Sequence, residues 1–276
     1  MTVLVAVRTS TAVVFAADSK LTTQGFVGFD PNGDPLFVPQ TYDNAVKLGF
    51  DASRTLIAAV TGNASMGEMN VIDYLSQAQG VFGTDLEQDE YIQRLILSMG
   101  KMRFDYWTNL QLASARWPFT AVLIATTSAQ TSQPRVWRVS FAEDRCEVDP
   151  ILPFPSVWLD GSYNDAFCLL YGRRPDAIEQ LRIELNLTEQ TMEQALQGGH
   201  VITPLNRLNV GAMPIQDAMD LAGFLARVQI EMDRFLPGAP LCGGPVDLVV
   251  LQGTPYRVIR EFPGKSLEHP KSHGLA

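Results

Sequence analysis

The chain has 276 residues, 46% of them hydrophobic and 18% charged, with a mean hydropathy of +0.03, a balance that argues against a disordered or membrane-embedded protein and provides for one large core. With 30 acidic against 21 basic residues, a formal charge of -9 and a pI near 4.8, it repels phosphate backbones, and no nucleic-acid partner is expected. No apolar run reaches spanning length and the N-terminus lacks a basic stretch followed by a long apolar one, so neither membrane insertion nor export is expected.

In chain order, Thr2 to Arg8 and Ala12 to Ala17 read as two strands turning at Thr9-Ser10-Thr11. Thr22 to Asp43 carries Gly25, Gly28, Pro31-Asn32-Gly33-Asp34-Pro35 and Pro39, which predicts a long loop or an extended hairpin around Asn32-Gly33. Ala45 to Phe50 and Thr55 to Val60 form a further strand pair across a polar turn at Asp51 to Arg54. Two helices follow: Met66, Met69, Ile72 and Leu75 recur at helical spacing within Ala64 to Gln79, as do Tyr91, Leu95, Met99 and Met102 within Asp89 to Leu112.

Phe119 to Thr126, Arg135 to Ser140 and Val157 to Asp160 are strand-like, and Asn164 to Tyr171 begins another helix. Leu187 to Gln197 and Ile215 to Phe235 complete the helices, the second with Pro214 in its first turn. Val246 to Leu251 and Tyr256 to Ile259 close the chain as strands, ahead of a tail from Pro263 with two prolines, two glycines and two histidines that reads as disordered. Strands then helices, twice over, predict an α+β fold: a four-layer αββα sandwich of two stacked antiparallel sheets with helices on the outer faces. No repeat or linker divides the chain, so residues 1–262 read as one domain with 22–43 as an extended loop and 263–276 as a flexible tail.

The familiar cofactor and nucleophile fingerprints are missing: no Gly-x-Ser-x-Gly, no Walker loop, no His-Glu-x-x-His and no dinucleotide motif occur. No cofactor and no metal are expected. Cys146, Cys168 and Cys242 are too few and too scattered for a disulfide framework or a zinc cluster and suit a reducing cytosol. The Asn186-Leu187-Thr188 sequon, without a secretion signal, reads as chance. Of three histidines only His200 lies in the body, beside Gly198-Gly199, where it reads as a capping or surface residue rather than a general base.

The N-terminus carries more. Thr2 is a small second residue, so removal of Met1 is expected, leaving a hydroxyl and a free α-amine on one residue. An α-amine titrates at about 7.7 to 8.0, so near neutrality a useful fraction can take the hydroxyl proton. Taken alone, a threonine here more commonly just begins a strand, and the context has to overturn that reading. The context is Thr2-Val3-Leu4-Val5-Ala6-Val7-Arg8, then Val13-Val14-Phe15-Ala16-Ala17-Asp18-Ser19, Asn44-Ala45-Val46-Lys47-Leu48 and Leu56-Ile57-Ala58-Ala59-Val60-Thr61-Gly62. In order, spacing and placement on strands this series resembles the proteasome β-subunit family, members of the N-terminal nucleophile hydrolases, over about the first eighty residues and more loosely to about residue 253.

The resemblance implies a threonine peptidase. Lys47 matches the lysine whose ammonium favours the threonine alkoxide, Asp18 its aspartate partner, and Gly62 the glycine whose N–H binds the oxyanion. Trp158-Leu159-Asp160-Gly161-Ser162 resembles the glycine-serine turn whose serine, here Ser162, contacts the amine; its alternative role is to cap the helix near Asn164. The family's last helix ends in an aspartate soon followed by Ser-Gly. Asp233 matches the aspartate, but Arg234 to Leu241 intervene before Cys242-Gly243-Gly244, so the serine is either replaced by Cys242 or displaced. Cys242 itself reads as a small buried residue rather than a nucleophile.

Thr22, Val60 and Ala64 match substrate-binding positions, where small apolar walls would favour an apolar side chain, and Phe26, Phe29 and Phe37 of the long loop would reach toward the substrate channel. By the same resemblance, subunits stack as a cytoplasmic homo-oligomeric double ring that encloses the sites and admits peptide or unfolded protein, as in the homomeric bacterial proteasome homologues, ancestral or betaproteobacterial. Whether an unfoldase partner exists, and whether a ring holds six or seven subunits, stays open at this stage. Two other readings also stand: an N-terminal nucleophile amidase acting on a small molecule as a smaller oligomer, and an inactive ring scaffold.

Overall fold

Strands β1 (Val3–Arg8) and β2 (Ala12–Asp18) are buried at every position, which a strand with one wet face never is. They lie side by side in a five-stranded sheet of order β12-β1-β2-β13-β14, all of whose pairings are antiparallel, with β12 at Ser156–Gly161, β13 at Val246–Gly253 and β14 at Tyr256–Glu261. Alternation divides the side chains of β1 between two apolar layers. Val3, Val5 and Val7 face helix α5 (Ile215–Asp233), while Leu4 and Ala6 face the second sheet. The computed structural model describes residues 2–29, 35–51, 55–66, 69–82, 88–110, 117–127, 133–172, 174–188, 190–191, 208–238, 240–253 and 256–261.

The second sheet, order β11-β10-β9-β6-β5, is also antiparallel and comprises β5 (Leu48–Phe50), β6 (Leu56–Gly62), β9 (Thr120–Thr127), β10 (Pro134–Ala142) and β11 (Arg145–Ile151). Leu123, Ala125, Ile57 and Ala59 point inward to meet Leu4, Phe15 and Ala17 of the first sheet. Val122, Ile124, Leu56 and Val60 point outward, under helices α1 (Val71–Phe82) and α2 (Gln88–Asn109). Helix α5, with α3 (Asn164–Tyr171) beside it, covers the opposite face. The expected four layers, helix–sheet–sheet–helix, are therefore present.

Most predicted elements form, with departures that have local causes. Residues 22–43 take the hairpin alternative, β3 (Leu21–Phe29) pairing with β4 (Pro35–Tyr42) and carrying a bulge between Phe26 and Gly28. Ala45 to Lys47 do not join β5: the Ala45 N–H donates to Ser19 O at 2.8 Å, pulling this stretch toward the end of β2. The helix expected from Ala64 starts at Val71, after a small hairpin of β7 (Ser65–Met66) and β8 (Met69–Asn70), because the Asn70 side chain accepts from the Ile72 N–H at 2.8 Å and caps it there.

Besides the β7–β8 hairpin, two elements were not predicted. β11 carries Glu147, Asp149 and Pro150 and is exposed along most of its length, the composition of a protected edge strand that reads as a loop. α4 (Pro175–Glu184), with Pro175 in its first turn, presents mostly exposed residues and so shows little apolar periodicity. The helix predicted over Leu187 to Gln197 falls mostly outside the described residues, as do His200 and the tail from Pro263. Among the described residues no helix is long and apolar enough to cross a membrane.

Candidate active site

The start of β1 is held from three sides. The Val3 N–H donates to Asp18 Oδ1 at 3.0 Å, and the Ser162 N–H donates to Thr2 O at 2.7 Å. Val3 stands opposite Gly161 in the β1–β12 ladder. Gly161 has φ +77, and a Cβ there would lie 1.9 Å from Thr2 O, so only glycine lets the β12 turn approach residue 2 so closely. Thr2 itself is 3% exposed.

Asp18, at the end of β2, is the hub. Its Oδ1 also accepts from Lys47 Nζ at 2.8 Å, and its Oδ2 accepts from the N–H groups of Gly243 at 3.0 Å and Lys20 at 3.3 Å. Asp18 is 0% and Lys47 5% exposed. Burial pushes the Asp18 carboxyl above its ordinary value, while the Lys47 ammonium and the Gly243 and Val3 N–H groups pull it back. All four partners are donors, leaving no acceptor for a carboxyl proton, so the group is held as the carboxylate. Lys47 reaches it because the 44–47 segment folds back onto Ser19. Its backbone meanwhile continues the edge of the second sheet, Lys47 O accepting from the Val60 N–H at 2.9 Å, so the buried side chain is turned inward.

Asp233, the last residue of α5, is buried and turned back on the segment that follows. Its Oδ2 accepts from the N–H groups of Leu241 at 2.9 Å and Cys242 at 2.8 Å. The loop from Arg234 thus returns to the helix end, and Cys242 and Gly243 lie beside Asp18 despite the long spacing. Ser162 does not cap α3. Gln229 of α5 does so, its Oε1 accepting from the N–H groups of Asp165 at 3.0 Å and Ala166 at 3.4 Å.

Gly62 closes β6 with φ +78 and is exposed; a Cβ there would lie 2.4 Å from Phe119 O. Val60 is buried in the apolar layer beneath α1, and Ala64 packs against that layer. Thr22 stands opposite Thr41 in the β3–β4 ladder, and its side chain, like those of Phe26, Phe29 and Phe37, lies outside the described residues. Thr2, Asp18, Lys47, Ser162 and Asp233 are thus joined, directly or through Gly243 and Cys242, while Val60 belongs to the opposite sheet and Ala64 to the stretch that follows β6.

Sequence reasoning missed the support beneath this cluster. Arg138 Nε of β10 donates to Asp160 Oδ2 at 2.6 Å, tying the second sheet to the strand that carries Gly161. Asp160 Oδ1 accepts from the Gly161 N–H at 2.7 Å. Nothing in the spacing of Arg138 and Asp160 betrays their meeting across two sheets. Among the described residues no group of three or more His, Cys, Asp or Glu is arranged to hold a metal ion. The arrangement couples the start of β1 to a buried ammonium through one carboxylate, which binds both the Val3 N–H and Lys47.

No protein-family model and no curated protein matches the chain. Among solved structures it is similar to Anbu, an ancestral beta-subunit, from Yersinia bercovieri, at 13% identity and a TM-score of 0.50, covering 97% of this chain and 88% of that one. The similarity is one of fold, a sandwich of two sheets between helices, and it runs nearly end to end.

Proposed function

We propose that this protein is a threonine peptidase in which Thr2, freed by removal of Met1, is both nucleophile and base. The observation that carries the reading is the buried Lys47–Asp18 pair at 2.8 Å, whose carboxylate also binds the Val3 N–H. A lysine is brought into the interior, against its desolvation cost, onto the carboxylate that also holds the backbone next to Thr2. Near a hydroxyl such an ammonium lowers the cost of forming the alkoxide.

In the proposed reaction, Thr2 Oγ1 attacks the peptide carbonyl carbon while the Thr2 amine takes the hydroxyl proton. The oxyanion is stabilised by a backbone N–H, assigned to Gly62, an interaction commonly worth about 3 kcal/mol. The amine returns the proton to the leaving nitrogen, the C–N bond breaks, and an ester to Thr2 remains. Water, deprotonated by the same amine, then adds to the ester carbon; the C–Oγ1 bond breaks, the amine passes the proton to Thr2 Oγ1, and the carboxylic acid leaves. Ser162 and Asp233 are assigned to orienting the amine, and Thr22, Val60 and Ala64 to the pocket for the side chain before the cut bond. The proposal extends to a cytoplasmic homo-oligomeric double ring acting on peptide or unfolded protein.

The test is intact-mass analysis after incubation with a peptide epoxyketone, which needs both hydroxyl and free amine on one residue. One adduct per chain lacking Met1, and none on Thr2→Ala, is the expected outcome. Processed wild-type protein that takes no adduct would overturn the reading.

A further inference from the structure

The two halves of the proposed site stand on different sheets: Thr2 leads into β1 of the first, and Gly62 closes β6 of the second. Gly161 lies between them. A Cβ there would come within 1.9 Å of Thr2 O on one side and 2.9 Å of the Oγ1 of Thr61, the residue before Gly62, on the other. No side chain fits that gap, so the β12 turn is where the sheets close on one another. The residue before it holds the turn: the Gly161 N–H donates to Asp160 Oδ1 at 2.7 Å, and Asp160 Oδ2 accepts from Arg138 Nε at 2.6 Å.

The pair crosses from sheet to sheet because both side chains face inward. Asp160 stands opposite Leu4, which points at the second sheet, and directly opposed residues of an antiparallel pair share a face. On β10, Val136 points inward, so Arg138 and Ser140 further along the strand do so too. Ser140, Ala121 and Thr61 lie in one row across β10, β9 and β6. Arg138 is braced against this row: its Nη1 donates to Ser140 Oγ at 3.2 Å, and its guanidinium carbon lies 5.8 Å from the centre of the Phe119 ring. Phe119 O in turn accepts at 2.9 Å from the N–H of Asn63, the residue after Gly62. One guanidinium thus applies one nitrogen to the first sheet, and a second nitrogen and its flat face to the second.

We propose that Arg138 and Asp160 are positioning residues for the reaction of Thr2: their ion pair fixes the distance between the Thr2 hydroxyl and the Gly62 N–H that receives the oxyanion. This rests on the reading of Thr2 as nucleophile and Gly62 as donor. The pair moves no proton; it sets a spacing, and spacing matters most to a step that places charge on the oxygen facing Gly62. Arg138→Lys keeps a cation for Asp160 but has neither a second nitrogen for Ser140 nor a flat face for Phe119, so it restores the spacing only in part. A pair that merely adds stability predicts a lower melting temperature and unaltered chemistry with every probe.

The experiment compares two leucine-ended peptide probes by intact mass on wild type, Arg138→Met, Arg138→Lys and Asp160→Asn, well below each melting temperature. With an epoxyketone, Thr2 Oγ1 adds to the ketone carbon and negative charge forms on the ketone oxygen, where Gly62 donates. With a vinyl sulfone, Oγ1 adds to the alkene carbon remote from sulfur, a proton goes to the carbon beside sulfur, and no oxyanion forms at Gly62. At saturating probe, Arg138→Met is expected to take the epoxyketone at least about tenfold more slowly, the scale of a misplaced oxyanion donor, with the half-saturating concentration unchanged. Its vinyl sulfone rate is expected to stay near that of wild type, and Arg138→Lys to fall between. Two rates that are both unchanged, or that fall by the same factor, overturn the proposal. Should Arg138→Met fail to fold, Asp160→Asn decides, since asparagine keeps an acceptor for the Gly161 N–H and loses the charge: a selective loss of the epoxyketone rate supports the positioning, and an unchanged ratio of the two rates overturns it. Absence of any wild-type adduct would remove the nucleophile reading and this proposal together, whereas normal wild-type labelling with an unchanged ratio in the variants removes this proposal alone.

Discussion

Lys47 and Asp18 compensate one another in the interior, and in the proposed reaction the same ammonium acts on the Thr2 hydroxyl. Each is almost fully buried and each compensates the other, so removing one leaves a charge in the interior. Lys47→Met is expected to lower the free energy of unfolding by about 3 kcal/mol in urea titrations at neutral pH, the usual cost of orphaning a buried charge, and to abolish epoxyketone labelling. The pH dependence has a definite sign. Without the ammonium, desolvation raises the Asp18 pKa further above its unfolded value, and a carboxyl so shifted favours the folded state at low pH. The deficit of Lys47→Met relative to wild type therefore shrinks as pH falls toward the carboxylate range. Gly161 is the second sensitive position. Gly161→Ala puts a methyl group 1.9 Å from Thr2 O, whereas Gly238→Ala, at φ +104, meets nothing within 4 Å and costs only backbone strain. In thermal melts Gly161→Ala should lose several times more stability than Gly238→Ala, which costs about 1 to 3 kcal/mol, and only Gly161→Ala should lose labelling.

Among the elements, α3 depends on its neighbour. No side chain of its own caps its N-terminus; Gln229 reaches across from α5, itself 2% exposed, and satisfies two of the N–H groups. Gln229→Ala leaves those donors without an acceptor and is expected to cost about 1 to 3 kcal/mol in chemical denaturation, with faster hydrogen exchange at Asp165 and Ala166. The elements that could be read from the sequence are those whose burial is one-sided or complete, such as α5 and β1. β11 and α4 could not, because an edge strand and an exposed helix carry little apolar periodicity. The early start predicted for α1 had a different cause: Met66 and Met69 keep helical spacing with Ile72 and Leu75, while the Asn70 cap, a single side-chain contact, decides where the helix begins.

On the scale of the whole molecule, two sheets bury one another through Leu4, Phe15, Leu123 and Ile57, and helices close both outer faces. The proposed assembly predicts that native mass spectrometry finds the chain as a ring-sized homo-oligomer rather than a monomer, with labelling at every subunit; a monomer that labels fully would favour a small-molecule amidase. Exposed apolar side chains on α4 and at its C-terminal cap, Leu181, Ile183 and Leu185, are candidates for burial in such contacts.

By itself the amino-acid sequence determined the layer order, because the alternation and length of apolar runs reflect which faces lose water; it offered Thr2 by its place after Met1, and Asp18 and Lys47 through the family resemblance. Tertiary structure alone decided the rest of the site. Cys242 reaches Asp18 only because Asp233 folds the intervening loop back, Gln229 rather than Ser162 caps α3, and Arg138 meets Asp160 across the sheets. Such contacts join residues far apart in the chain through single hydrogen bonds, and neither periodicity nor local spacing records which donor a buried carboxylate will find.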